Sequence, residues 1–218
     1  MIPLLPPAGQ LDVLCLGAHA DDIEIGCGGT LVSLVDRGDT QVSAVVLTGD
    51  GERRREATEA LPMFFPGAHV DVLGLPDGRL PASWLDCKEA LERIAADRQP
   101  HLVLAPRPDD AHQDHRLVGR LASTVWRDAL ILHYEIPKWD GDLASPTHYV
   151  PLGEGAARKK VELLDSCYPT QANRDWWDDE LFFGLMRLRG VECRHRYAEA
   201  FFASKVLVEL AGCAGTST

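Results

Sequence analysis

The 218-residue chain lacks any apolar run approaching the roughly 20 residues that a membrane-spanning helix needs, so no span is expected. It is also short of basic residues. Lys and Arg number 22 against 33 Asp and Glu, a formal net charge of −11. That deficit argues against nucleic acid or an anionic membrane surface as the primary partner. Phosphate-bearing small molecules stay open, because Arg53-Arg54-Arg55 could form a local positive spot; the same triplet also suits a solvated first turn of helix. No Cys-x-x-Cys occurs among the six cysteines at 15, 27, 87, 167, 193 and 213, several of which sit in apolar surroundings. This usage suits buried free thiols in a reducing cytosol. Residues 1–7 have no positive n-region and are broken by prolines, so no targeting segment and a cytoplasmic location are expected. Internal repeats and low-complexity runs are absent. So is Gly-x-Gly-x-x-Gly: Gly26-Cys27-Gly28-Gly29 does not match it and reads as a close-packing turn at a helix start.

What is present is an ordinary globular composition, 45% hydrophobic and 25% charged, in a length suited to a single domain over residues 1–218. Apolar runs mark strands near 12–17, 42–48, 70–74, 102–105 and 130–135. Between and after them, helices are expected near 28–37, 53–64, 84–97, 115–128, 156–167 and 177–188. Such alternation implies parallel strands with crossover helices. The expected class is α/β, a Rossmann-like three-layer α/β/α fold with a mostly parallel sheet.

Two polar clusters stand just past two of these strands. His19-Ala20-Asp21-Asp22 follows Val13-Leu14-Cys15-Leu16, and Asp109-Asp110-Ala111-His112-Gln113-Asp114-His115 follows Leu102-Val103-Leu104-Ala105-Pro106. Ligands of open α/β sheets bind at that edge. Adjacent carboxylates are costly to crowd unless a positive group joins them. A divalent metal would answer, with His19 and one Asp as ligands and the other Asp free for proton transfer. His115 can complete a three-residue set that leaves a position open for water, and His112 could face the same cavity without ligating. Each cluster has a plainer reading. His-x-Asp-Asp alone is also what a surface turn or helix N-cap looks like, and Asp114 could cap a helix starting near His115.

Taken in order, these stretches resemble the PIG-L/LmbE-like family of zinc-dependent N-acetylglucosaminyl deacetylases. That family carries Ala-His-Pro-Asp-Asp near its N-terminus and His-Pro-Asp-His after a middle strand. Here Ala18-His19-Ala20-Asp21-Asp22 and His112-Gln113-Asp114-His115 match, with Ala20 and Gln113 replacing prolines and no functional group lost. Glu24-Ile25-Gly26-x-Gly28-Gly29-Thr30-Leu31, Arg53-x-x-Glu56-Ala57, Leu75-Pro76-Asp77-Gly78 and Tyr197-Ala198-Glu199-x-Phe201 extend the similarity from about Leu11 to about Leu207.

The resemblance implies a role for each match. His19, Asp22 and His115 would hold Zn2+, or another divalent first-row metal. Asp21 would be the general base, and His112 a protonated partner for the oxyanion and the leaving amine. Tyr197 would add an oxyanion hydrogen bond, and Arg53 would bind substrate. Trp139, beside acidic groups after the fifth strand, is placed as a sugar platform; an aromatic packing a loop or subunit interface has the same look. Trp176-Trp177 reads as helix start and core, and His69, His101, His133, His148 and His195 as structural or exposed. The expected activity is removal of an acetyl group from an N-acetylglucosamine-type amino sugar or its conjugate, by a possible homo-oligomer. Hydrolysis of another amide (a thiol conjugate or an acylated natural product) and a noncatalytic nucleotide- or metal-binding α/β protein remain as alternatives.

Overall fold

The computed structural model describes residues 9–208; the first seven residues and Cys213 lie outside the described residues. Seven strands form one sheet in the order β3-β2-β1-β4-β5-β7-β6. They are β1 Leu11–Gly17, β2 Thr40–Thr48, β3 His69–Leu75, β4 Leu102–Pro106, β5 Leu130–Tyr134, β6 His148–Leu152 and β7 Tyr197–Phe202. Six helices accompany them: α1 Asp22–Leu34, α2 Gly51–Phe64, α3 Trp84–Asp97, α4 Gln113–Val125, α5 Glu154–Cys167 and α6 Asp179–Cys193. None is long and apolar enough to cross a membrane.

The first five strands pair in parallel, as their apolar runs and intervening helices imply. Side-chain alternation along β1 splits its burial between two cores. Leu11, Val13 and Cys15 join a cluster with Ile23, Leu31, Phe64, Val161 and Phe182. Leu14 and Leu16 join the other, with Leu91, Val118 and Leu121. Helices α1, α2, α5 and α6 therefore cover one face and α3 and α4 the other, the three-layer α/β/α arrangement. The strand order runs outward in both directions from the β1/β4 junction, the switch point at which such sheets bind ligands.

Two features depart from the sequence reading. Strands β7 and β6 add an antiparallel edge, pairing His133 with Phe202 and Tyr149 with Ala200. Pro151 in β6 is tolerated because the strand is at the sheet edge. Helix α1 begins at Asp22, not near residue 28, and breaks at Cys27 (φ −142°, ψ 17°). Gly26-Cys27-Gly28-Gly29 is thus the kink of a helix, not the turn before one. Close packing does explain its composition: a Cβ on Gly26 would sit inside the Tyr134 ring.

The kink frees backbone groups, and one ion pair collects them. Lys160 Nζ donates to Ile25 O at 2.6 Å and meets Glu199 Oε1 at 2.6 Å. Glu199 accepts from the N–H groups of Gly29 (2.8 Å) and Thr30 (2.7 Å) and from Thr30 Oγ1 (2.6 Å). A carboxylate at the start of the second helical half satisfies donors that the break would leave unmatched.

Candidate metal centre

The turn after β1 is shaped by its own polar atoms. Thr48 N and Oγ1 both donate to Ala18 O, at 3.0 and 2.7 Å. Asp22 Oδ2 accepts from the backbone N–H of Ala18 and of His19, each at 2.8 Å. One carboxylate oxygen of Asp22 thereby fixes the turn, and the other, Oδ1, is left to face His115 Nε2 at 3.2 Å. His19 Nδ1 lies 3.1 Å from His115 Nε2 and 3.5 Å from the Asp22 carboxylate. Tetrahedral ligands at about 2.0–2.2 Å from one ion stand roughly 3.4 Å apart, so these three groups fit a single small divalent cation.

The remaining ring nitrogens are braced. His19 Nε2 is 3.1 Å from Asp77 Oδ1 and 3.4 Å from Asp114 Oδ2, and His115 Nδ1 is 3.2 Å from Asp110 Oδ1. Lys138 Nζ in turn holds Asp110 at 3.0 Å. Carboxylates behind metal-binding imidazoles orient the rings and raise their basicity. Burial works against charge on His19, but Asp22, Asp114 and Asp77 outweigh it and drive its pKa up to about 12. Burial likewise opposes His115, which Asp22 and Asp110 carry up to about 9. Asp22 is held well below the usual carboxylate range: burial pushes it up, and the two imidazoles overcome that. The cluster therefore demands positive charge, which is what a divalent cation supplies.

His112 belongs to the same knot of rings, its centroid 4.8 Å from that of His19 and 4.6 Å from that of His115. Its Nδ1 accepts the N–H of Asp114 at 3.3 Å, so His112, not Asp114, caps α4. Asp114 Oδ1 accepts instead from Leu80 N at 3.0 Å. Burial and then the neighbouring positive imidazoles lower the His112 pKa. With Nδ1 accepting from the Asp114 N–H, Nε2 is the ring nitrogen left without a backbone partner.

Asp21 sits beside this knot and makes no capping bond to α1. Burial raises its pKa, against the lowering effect of Arg53. Arg53 NH2 meets Asp21 Oδ2 at 3.0 Å, which leaves Oδ1 as the unspent oxygen. Further back, burial pushes Glu24 up to about 8.

These groups floor a cavity of about 450 Å3, within the range of small-molecule sites. Its lining includes His19, Asp21, Asp22, Arg53, His112 and His115, and, toward the mouth, Trp139. Trp139 is 66% exposed; its indole N–H donates to Asp175 at 3.0 Å, and its ring stands edge-to-face with Trp176, 6.2 Å between centroids. Trp176 also lines the cavity, whereas Trp177 is buried in the core, so the adjacent tryptophans divide between site and core. Tyr197 is the one expected site residue outside the cavity. At the start of β7 its ring packs against Phe183 of α6, with the Arg196 guanidinium 5.3 Å from its centre. Asp77, Asp110 and Lys138 had no site role from sequence, and Trp176, expected at a helix start and in the core, lines the cavity instead. Asp77 and Asp110 stood next to the polar motifs, but only their convergence on the histidines reveals their use.

Comparison with known proteins agrees with this arrangement. The family model of GlcNAc-PI de-N-acetylases (PIG-L) matches residues 14–126, which include both metal-facing turns. The uncharacterized deacetylase YaiS of Escherichia coli K12 is 35% identical over 138 residues, 57% of this chain and 74% of that protein. The diacetylchitobiose deacetylase of Thermococcus kodakarensis is 33% identical over 125 residues, half of this chain and 46% of its own length. In fold alone, the structure of GalB, the 4-carboxy-2-hydroxymuconate hydratase of Pseudomonas putida KT2440, superposes with a TM-score of 0.74. It has 19% identity over 93% of this chain and all of that one. A family match over more than half of the 218 residues, in register with the His19–Asp22–His115 turn geometry, shows that the chain belongs to the PIG-L family.

Proposed function

We propose that this protein is a zinc-dependent N-deacetylase acting on an N-acetylglucosamine-type amino sugar or its conjugate. The observation that carries the reading is the convergence of His19 Nδ1, His115 Nε2 and the Asp22 carboxylate beside an unspent carboxylate oxygen, Asp21 Oδ1, on the floor of an open cavity. His19, Asp22 and His115 hold the ion. When bound, zinc supplies Lewis acidity, lowering the pKa of water to about 7 and polarising an acyl oxygen. Asp21 Oδ1 takes the proton from the attacking water and returns it to the departing amine as the C–N bond breaks. His112 Nε2–H donates to the oxygen that gains charge; removing one such donor typically costs about 100- to 1000-fold in rate. Trp139 and Trp176 offer aromatic faces at the mouth for the sugar or what it is attached to.

Two relatives named as deacetylases support the chemistry, one of them a diacetylchitobiose deacetylase. The fold does not choose the reaction, since it also carries a hydratase. The test is amine release by zinc-loaded protein across N-acetylglucosamine, its nucleotide, lipid and glycoside conjugates, and simple acetamides, with Asp21→Asn as control. Turnover of one class, abolished in the control, is the expected result. No turnover of any of them, with zinc bound, would turn the reading to another amide or to a noncatalytic role.

A further inference from the structure

A cavity-facing arginine suggests a substrate anchor, but NH1 and NH2 of Arg53 are already engaged by the protein itself. NH2 meets Asp21 Oδ2 at 3.0 Å. NH1 meets Glu56 Oε2 at 2.6 Å and Thr170 Oγ1 at 3.0 Å. Glu56 is buried and spent in the same way, Oε1 accepting from Thr170 N at 3.0 Å and Oε2 from Thr170 Oγ1 at 2.7 Å. The first turns of α2 are thereby tied at one end to Asp21 and at the other to the segment after α5. That segment runs on into Gln171, Arg174 and Trp176, which line the cavity mouth.

We propose that Thr170, Glu56 and Arg53 form a chain that positions the Asp21 carboxylate, with Arg53 a positioning residue and not a substrate ligand. This rests on Asp21 being the base, as proposed above. Because the Asp21 side chain makes no bond to the helix it precedes, the salt bridge selects which of its oxygens is free. Displacing a catalytic group by about 1 Å can cost about a hundredfold in rate. A guanidinium can serve Asp21 and Glu56 from one rigid fork, which an ammonium cannot.

The experiment is steady-state kinetics of Arg53→Met, Arg53→Lys and Thr170→Val, each with zinc content measured, on the substrate found for the wild type. Arg53→Met is expected to lower kcat about a hundredfold, with KM nearly unchanged. Arg53→Lys recovers part of the loss. Thr170→Val lowers kcat less and leaves KM alone. A raised KM with unchanged kcat in Arg53→Met marks a substrate ligand and overturns the proposal, as does wild-type kcat in Thr170→Val. A second readout needs no activity: denaturation midpoints of zinc-loaded Asp21→Asn, Arg53→Met and the double variant. Non-additive shifts support the Arg53–Asp21 link, and additive ones overturn it. If the wild type turns over nothing, the deacetylase reading fails by itself, and the midpoints still decide whether Arg53 is committed to Asp21.

Discussion

Lys160 and Glu199 meet at 2.6 Å with side chains 4% and 3% exposed, whereas Arg53 and Asp21 meet at 3.0 Å with side chains 26% and 9% exposed. Both pairs flank α1, and both bring a basic residue from another helix. They differ in what is left over. Glu199 divides its two oxygens among Lys160, Gly29 N, Thr30 N and Thr30 Oγ1, so the sealed pair is fully consumed in stapling the helix kink. In the open pair Asp21 keeps one oxygen free beside the metal-facing residues. A buried ion pair serves structure when every lone pair has a partner, and chemistry when one is withheld and faces a cavity.

The sharpest way to break this comparison is to remove Glu199. Glu199→Ala strands the Lys160 ammonium with Ile25 O alone and unmatches the Gly29 and Thr30 N–H groups. Breaking a buried pair on one side costs about 3–5 kcal/mol, read as a drop in urea midpoint. A loss comparable to that of an exposed pair would mean that the kink does not depend on its staple.

Asp21→Asn should show the opposite profile. Stability should fall by less than in Glu199→Ala, since the amide oxygen of Asn can still accept from Arg53 and no other bond of the Asp21 side chain is lost. Zinc should remain, while turnover falls by about 100- to 10,000-fold, the usual contribution of a general base. Retained turnover would remove Asp21 as the base and leave the two ion pairs functionally alike.

Metal removal sharpens the same contrast, because the open side of α1 carries the proposed ligands. Free zinc at about 100 times its dissociation constant stabilises by about 2.7 kcal/mol. A chelator should therefore lower the melting temperature of the wild type and leave that of His115→Ala unmoved. Equal shifts in the two proteins would place the metal elsewhere. His112→Ala should keep its zinc; loss of metal there would exchange the roles of the two histidines.

What was legible in sequence follows the same division between local and long-range causes. Strands β1, β2 and β4 could be read because a parallel strand buried on both faces is a nearly continuous apolar run, and the half-buried edge strand β3 from its shorter Val70–Leu75 pattern. The β6–β7 edge could not: Pro151 interrupts one strand, and Glu199 is buried in the other only because Lys160 and Thr30 reach it from 39 and 169 residues away. His19, Asp22 and His115 were legible because their residue types stand at strand exits, and the structure brings them together. The braces Asp77, Asp110 and Lys138 were not, since nothing in their local sequence says which ring nitrogen they face. Arg53 was found, and the structure places it in the cavity lining as expected, but its partners Asp21, Glu56 and Thr170 were not legible because they come from three segments. The late tyrosine motif pointed to Tyr197, whose ring the structure packs against Phe183 of α6 and does not place in the cavity lining.

The smallest structural effect belongs to Trp139. At 66% exposure it adds little to the core, and its contacts are the Asp175 carboxylate and the edge of Trp176. Trp139→Ala should therefore change stability by about 0.5 kcal/mol or less, as surface substitutions usually do. A large exposed aromatic held by a dedicated hydrogen bond is costly to keep unless something covers it, and it stands at the mouth of the cavity. If what covers it is the sugar or its conjugate, KM should rise several-fold while kcat changes little, the sign of lost binding shared by ground and transition states. Parallel losses of stability and activity would instead make Trp139 a brace for the loop that carries Lys138, and the platform would have to be sought on Trp176 alone.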